Sequence, residues 1–191
     1  AVYTKFDFIP GDKMIFFDDF SDTDVGEFPR KWTLDGPKQG NSNTVYVVEF
    51  QDRRFLRSVP GVKGQPPATQ YLRLDQKGDF PEKFTIEFDA VLAPVKEGSV
   101  YHNAYRVLFV PADKRAEVFK WNAPYSVNIS GKESNSANTK TNVGIIDGKV
   151  HHVAISVNGS FVKAYIDNQR VINDPDGIKR PIKQIGIQML T

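Results

Sequence analysis

The sequence predicts an all-β protein built from two packed antiparallel sheets. Short segments of alternating apolar and polar residues recur along the chain, and clusters of Gly, Pro, Asn and Asp separate them. No long stretch sustains the 3.6-residue period of a helix. Many strands without crossover helices favour an antiparallel β-sandwich. The aromatic content of 12%, with 14 Phe and 7 Tyr, also suits sheets.

The clearest pattern lies in residues 148–173, GKVHHVAISVNGSFVKAYIDNQRVIN. Alternating apolar residues before and after Asn158-Gly159 predict two strands, and this pair is typical of the positive-φ residues of a tight hairpin. Asp167-Asn168 predicts a second turn into a third strand. We therefore expect a three-stranded meander. The side chains expected between the sheets are those of Val153, Ile155, Val162, Ala164 and Ile166.

Other segments with strand-like composition lie between turn signals. They are residues 14–17, 44–50, 54–59, 71–74, 84–92, 105–110, 125–129, 142–146 and 184–189. A short helical turn is expected at 111–117, and loops are expected at 58–70 and 130–142. Strands that need partners lie on both sides of each loop, so the sequence predicts a single domain over 1–191. An extended N-terminal arm is expected over 1–13.

The composition excludes several classes of function. The 25 Lys and Arg are interspersed with 23 Asp and Glu, so neither a nucleic acid nor an anionic membrane is indicated as a partner. There is no Cys, which excludes thiolate nucleophiles, disulfides and cysteine-ligated zinc. No apolar run approaches the roughly 18 residues of a membrane span, so no membrane insertion is expected. A chain that starts at Ala1 without a signal-like segment is expected to be a mature or trimmed product.

Two segments resemble a known superfamily. Residues 148–173 resemble the G-K-W-H-H-V-A…D-G…V-K-L-Y-V-D-G hairpin of laminin-G-like and concanavalin A-like lectin/glucanase jelly rolls, with Val150 in place of the usual aromatic residue. Asn168-Gln169 replaces the glycine of the second turn. Residues 14–32, MIFFDDFSDTDVGEFPRKW, look like the opening strand of that superfamily. The resemblance implies an antiparallel two-sheet jelly-roll sandwich of the concanavalin A-like type.

The longer N-terminal segment carries a second resemblance. Residues 6–32 are similar to the N-terminal domain of bacterial envelope proteins that end in an OmpA-like peptidoglycan-binding domain. This resemblance implies a periplasmic, outer-membrane-associated or secreted location. The superfamily contains hydrolases, lectins and adhesion modules, so the fold alone does not decide the function.

A catalytic hypothesis rests on residues 86–93, IEFDAVLA. Family-16-like glucanases present E-x-D-x-E or E-x-D-x-x-E on one strand, and Glu87 and Asp89 match the first two positions on one face. Val91 and Leu92 occupy both places where the second glutamate would stand. Because a retaining glycosidase needs two carboxyl groups roughly 5 Å apart, the missing acid/base favours a solvent-facing pair without catalysis.

The histidines could suggest a metal site or a general base. His151 and His152 are adjacent, so on a strand they point to opposite faces and do not easily chelate one ion. The third histidine, His102, is remote in sequence. Packing and strand-start roles are therefore favoured over zinc or catalysis.

An acidic segment, FFDDFSDTD at 16–24, suggests a structural calcium, because hard cations favour clustered carboxylates on a loop. Asp19 is the expected ligand. The spacing does not match an EF-hand loop, and Asp and Ser at a strand end are also ordinary turn residues. No other cofactor is expected to be required.

A mixture of aromatic rings with hydrogen-bonding side chains predicts a saccharide groove in residues 100–106 and 118–128. The C–H faces of sugars stack on rings, while polar groups orient the hydroxyls. The expected groove residues are Tyr101, Asn103, Tyr105, Trp121, Asn122 and Tyr125. The alternative is that these rings belong to the core.

The function predicted from these features is a non-catalytic carbohydrate-binding or cell-envelope interaction module of a secreted or envelope bacterial protein. Its expected partner is a glycan or another cell-surface component. One alternative is a glycoside hydrolase or lyase of the concanavalin A-like glucanase class. A second alternative is a structural spacer domain.

Overall fold

A computed structural model describes residues 7–35, 45–58, 70–75, 78–92, 104–111, 117–122, 126–130 and 148–190. These residues contain twelve strands and no helix, and accordingly no helix that is long and apolar enough to cross a membrane. The strands are β1 (Thr33–Asp35), β2 (Val45–Phe50), β3 (Arg53–Ser58), β4 (Gln70–Asp75), β5 (Lys83–Val91), β6 (Ala104–Pro111), β7 (Glu117–Asn122), β8 (Ser126–Ser130), β9 (Val150–Asn158), β10 (Phe161–Ile166), β11 (Gln169–Asp174) and β12 (Ile182–Leu190).

The strands form two main sheets and one hairpin. The larger sheet has six strands in the order β1-β4-β12-β6-β7-β8, and the smaller has four in the order β11-β10-β9-β5. Strands β2 and β3 pair only with each other among the described strands. Every pairing in the described part of the chain is antiparallel. The predicted all-β antiparallel sandwich is confirmed.

The core lies between the inner faces of the two main sheets. All five residues predicted to point between the sheets, Val153, Ile155, Val162, Ala164 and Ile166, are 0% exposed. The six-stranded sheet contributes Val107, Phe109, Ile182 and Ile185 to the same cluster. Burying one large aliphatic side chain stabilises the fold by about 1.5–3 kcal/mol, so this interface is the main source of stability.

A second, smaller cluster attaches the β2–β3 hairpin to the six-stranded sheet. Val45 of the hairpin and Met189 of β12 are buried there, and Phe28 and Trp32 of the N-terminal segment pack against them. Tyr105 contacts both this cluster and the main core. The hairpin is therefore fixed by its apolar contacts, although neither of its strands joins a main sheet in the described structure.

The predicted meander is confirmed as β9-β10-β11, but one turn differs by a residue. Asn158 pairs with Phe161, so the two central residues of the turn are Gly159 and Ser160. Only Gly159 of these two has positive φ, at 61°, which suits a turn with glycine first. Asn158 is the last residue of β9 instead. The second turn has the predicted Asp167-Asn168 pair, and both residues have positive φ, at 47° and 66°.

Some strand predictions were wrong or incomplete. Residues 14–17 form no strand; Phe16 packs edge-on against Trp32 with ring centroids 5.2 Å apart, while Met14 and Phe17 stay exposed. Four consecutive apolar residues have no polar alternation, so the run did not define a sheet face. Strands β1 and β7 were not predicted. The predicted strand at 142–146 and residues 112–116 of the predicted helical turn lie outside the described residues.

Candidate functional site

The candidate site lies on the outer face of the four-stranded sheet. Alternation along each strand sends one set of side chains into the core and the other to this face. The register places Asp89 opposite His152, and Glu87 opposite Ala154, which in turn faces Tyr165 on β10. As the two-residue period predicts, Glu87 and Asp89 share a face.

A row of charged side chains crosses this face. The His152 ring lies between two carboxylates, with Nδ1 2.8 Å from Asp89 Oδ1 and Nε2 3.2 Å from Glu87 Oε2. Arg53 of β3 donates to Asp89 Oδ2 at 2.8 Å. The row therefore runs from Glu87 through His152 and Asp89 to the β2–β3 hairpin. We call these four residues the ionic row.

The carboxylates of the ionic row favour the charged form of its imidazole. Partial burial disfavours the imidazolium, but the hydrogen bonds to Asp89 and Glu87 outweigh it and raise the pKa of His152. Partial burial also disfavours the charged Asp89, but the hydrogen bonds from His152 and Arg53 together lower its pKa. An ionised carboxylate can only accept, so the protonated ring is the form that donates to both Asp89 and Glu87.

An N-terminal segment crosses the same face. Asp7 accepts hydrogen bonds from Tyr165 Oη at 2.5 Å and Lys163 Nζ at 2.6 Å, and Arg170 Nη1 lies 3.3 Å away. Gly11 N donates to Thr85 Oγ1 of β5 at 3.2 Å. Strand β10 lies two strand spacings, about 10 Å, from β5. Four extended residues span this distance easily. We call residues 7–11 the arm.

The hydrogen bonds of Asp7 fix the start of the arm strongly. Those from Lys163 and then Tyr165 lower the pKa of Asp7 far below its ordinary value. Burial and the bond to Asp7 raise the pKa of Tyr165. Phe8 packs edge-on against Tyr165, with ring centroids 5.5 Å apart. The arm thus leaves Tyr165, an outer-face residue, only 1% exposed.

A cleft remains between the arm and the sheet. Its volume is about 190 Å³, and Phe8 and Pro10 line its arm side. The sheet side is lined by Glu87, His152, Ala154, Tyr165 and Asn168. The cleft therefore combines an aromatic ring and a flat apolar floor with a carboxylate and an amide.

The two adjacent histidines are separated, as predicted. His151 points away from the ionic row and is buried, and its Nδ1 lies 2.5 Å from Asp167 Oδ2. The backbone N–H of His152 donates to the other oxygen of Asp167 at 3.0 Å. Asp167 therefore fastens the β10–β11 turn to the start of β9. Among the described residues, no three His, Asp or Glu side chains could hold a metal ion together.

The acidic segment predicted to bind calcium is engaged in turns. Asp19 Oδ1 accepts from Ser21 N at 3.0 Å, and the hydrogen bonds from the Ser21 side chain and backbone lower its pKa. Asp18 accepts from Trp32 Nε1 at 2.9 Å. The nearby carbonyls of residues 20, 21 and 23 accept from Arg54 Nη1 at 3.2, 3.1 and 2.7 Å. A guanidinium therefore supplies the positive charge at these oxygens, and calcium at Asp19 stays a prediction.

The predicted saccharide groove is described only in part. Tyr105 lies in β6 and is the register partner of Trp121 in β7, and Asn122 is the partner of Ala104. The Tyr105 hydroxyl donates to Val91 O at 2.7 Å, and burial raises its pKa to about 12. Tyr105 is thus anchored in the core. Tyr101, Asn103 and Tyr125 lie outside the described residues, so the groove stays a prediction.

The ionic row and the arm were not predicted from the sequence as a site. The period of two did place Glu87, Asp89 and His152 on outward faces, but strand order was needed to bring β5 beside β9. The contacts of Asp7 cross more than 150 positions in the chain, and a single aspartate carries no local signal of them.

No protein-family model and no curated protein matches this sequence. Solved structures do match it. The chain is similar to the carbohydrate binding module CBM66 from Bacillus subtilis at 17% identity over 83% of this chain and 86% of that one, with a TM-score of 0.50. It is similar to a GH16 protein of the Bacteroides ovatus mixed linkage glucan PUL at 13% identity over 93% and 86%, with a TM-score of 0.63.

A third similar structure is the carbohydrate recognition domain of Emp47p, at 12% identity over 91% of this chain and 84% of that one, with a TM-score of 0.50. Identities this low establish a common fold and leave function open. The sheets and register described above agree with that likeness. The chain has the antiparallel jelly-roll fold of the concanavalin A-like lectins and glucanases.

Proposed function

We propose that this chain is a non-catalytic carbohydrate-binding module. The fold is one on which a carbohydrate binding module, a carbohydrate recognition domain and a GH16 protein are built. The cleft under the arm is lined by the mixture of apolar and hydrogen-bonding groups that sugars require. These features support binding, and the ionic row supports a role without catalysis.

The ionic row carries the proposal. A retaining glycosidase needs one ionised and one protonated carboxyl group, and an inverting one needs a carboxylate that activates water. Glu87 and Asp89 are instead both bonded to the His152 ring, and Asp89 is further bonded to Arg53. The second glutamate of the glucanase motif would stand at position 91 or 92. These positions hold Val91 and Leu92, neither of which has an acid group, and Leu92 is buried in the core at 1% exposure. These contacts favour a structural role for the two carboxylates, as the ion-pair partners of His152 and Arg53.

The principal binding surface that we propose is the aromatic groove of residues 100–106 and 118–128, in which Tyr101, Trp121 and Tyr125 supply the rings and Tyr105 is anchored in the core. Rings give affinity through stacking, and Asn103 and Asn122 can each donate and accept. Binding through such groups needs no charged pair, so it is expected to depend little on salt. The setting that we propose is a secreted or envelope-associated bacterial protein, which the resemblance of residues 6–32 to OmpA-like envelope proteins supports.

Affinity electrophoresis in gels that contain neutral polysaccharides tests this function. Wild-type protein should be retarded by at least one polysaccharide, and Trp121→Ala should abolish the retardation. Phe17→Ala is the matched control, because Phe17 is 58% exposed and lies outside the groove. Its removal should leave the retardation unchanged. Absence of retardation in a comprehensive glycan panel would refute the function and favour a spacer domain.

A further inference from the structure

We propose that the cleft between the arm and the four-stranded sheet is a second binding site, which holds one neutral sugar ring. The inference rests on the proposed function for its ligand class, but it assigns a surface separate from the aromatic groove. The proposed groove residues belong to β6, β7 and the segments that flank these strands in the sequence, whereas the cleft is built by the arm, β5, β9, β10 and the β10–β11 turn.

The charges in and beside the cleft favour a neutral ligand. Three carboxylates in and beside the cleft are all ion-paired. Asp7 is paired with Lys163 and Arg170, Asp89 is paired with Arg53 and His152, and Glu87 is paired with His152. Because each carboxylate already has a cationic partner, neither a polyanion nor a polycation finds a strong complementary field.

The side chains that line the cleft suit both the apolar C–H face and the hydroxyl groups of a sugar ring. Phe8, Pro10 and Ala154 provide apolar surface for its C–H face. Glu87 is 38% exposed at its side chain and contacts His152 through Oε2, so its other oxygen can accept from a hydroxyl. Asn168 has no hydrogen-bond partner among the described residues, and its amide can both donate and accept.

The cleft is large enough for one sugar ring and is formed before the ligand binds. Drug-sized ligands occupy pockets of about 300–1,000 Å³, whereas this cleft has about 190 Å³. Its walls are held before binding, because Asp7 fixes the arm at one end and the Gly11–Thr85 hydrogen bond fixes it at the other. Asn168 is held by a turn with φ of 66°. A preformed site loses less entropy on binding.

The test is a protein-observed NMR titration with the methyl glycosides of neutral hexoses. At least one should shift the amide signals of Ala154 and Asn168. Asn168→Gly removes the amide but keeps the positive φ of the turn, and it should weaken binding at these signals by about tenfold. Phe8→Ala should weaken it similarly. Asp52→Gly is the matched control, since Asp52 is also an exposed positive-φ turn residue but lies in the β2–β3 hairpin.

The outcomes separate this inference from the proposed function. Retardation of the protein in polysaccharide gels, without shifts at Ala154 and Asn168 from any glycoside, overturns the cleft and leaves the groove. Absence of both overturns the function and with it the ligand class. Inorganic phosphate and spermidine should produce no shifts at the cleft, and shifts from either would overturn the assignment of a neutral ligand.

Discussion

Two acidic segments, 16–24 and 86–93, each suggested chemistry in the sequence, yet the protein uses them differently. In the first, Asp18 and Asp19 accept hydrogen bonds from their own turn and from Trp32. In the second, Glu87 and Asp89 lie on a strand and bind a histidine from the neighbouring strand. The loop carboxylates shape a turn, whereas the strand carboxylates remain beside an open cleft.

Adjacent arginines of β3 serve the two regions. Arg53 is half-exposed and binds Asp89 in the ionic row, whereas Arg54 is less exposed and binds three carbonyls of the acidic loop. Neighbouring residues of a strand point to opposite sides, which explains why two consecutive cations reach different partners. The comparison shows that a cluster of acidic residues in a sequence does not by itself indicate a catalytic or metal site. The cationic side chains that pair with it in the folded chain must be known first.

The largest expected effect is a difference in the free energy of unfolding between variants of these two arginines. Arg54→Met retains the aliphatic stem but removes a charged donor from three carbonyls, so it should destabilise the protein by about 2–3 kcal/mol. Arg53→Met removes an exposed ion pair and should cost less than about 1 kcal/mol. Urea unfolding of both variants measures the difference. Equal losses in the two variants would contradict the distinction drawn between the regions.

A smaller effect is the dependence of stability on pH, which should come from the ionic row and not from the contacts of Arg54. The pKa of His152 is raised in the folded protein, so its stabilisation is fully present below about pH 6.5 and is lost as the pH rises through the raised value. The pKa of Asp89 is lowered, so its stabilisation is present above about pH 4 and is lost as the pH falls.

Urea unfolding of the wild type and of His152→Gln at about pH 5.5 and pH 8.5 measures this contribution. The wild type should lose more stability than the variant on going to the higher pH, by less than about 1 kcal/mol because the ring is partly exposed. The variant provides the control for the other two histidines. The prediction would be contradicted by a wild type that gains stability relative to the variant when the pH is raised.

The smallest expected effect is that of calcium. Arg54 already supplies positive charge to the loop carbonyls, which favours the turn role of segment 16–24 over the calcium site, so we predict that a chelator leaves the thermal unfolding midpoint unchanged. Added calcium should likewise leave it unchanged. A midpoint that rises with calcium in the wild type but not in Asp19→Asn would instead support the calcium site at Asp19.

Local patterns in the sequence predicted much of the fold. Alternation identified the β9-β10-β11 meander and its inward residues, because a half-buried strand leaves a period of two. The same rule missed β1, and it was misled by the apolar run at 14–17, where Met14 and Phe17 are exposed. Such a run has no polar alternation to define a face. The position of one turn also shifted from Asn158 to Gly159-Ser160.

The candidate site was less predictable because its contacts are long-range. The sequence placed Glu87 and Asp89 on one face and separated His151 from His152, since both follow from alternation alone. It did not place His152 between the two carboxylates, which requires β5 to pair with β9. The contact of Asp7 with Lys163 likewise depends on how the arm crosses the sheet.

The most direct test of the central claim, binding without catalysis, is a glycan-array screen followed by mass spectrometry of the bound oligosaccharide after prolonged incubation. We predict that wild-type protein and Glu87→Gln both bind the glycan through the aromatic groove, to which Glu87 does not belong, and that both return it unchanged in mass. Shorter products from the wild type that disappear with Glu87→Gln would contradict the claim and identify a glycoside hydrolase or lyase.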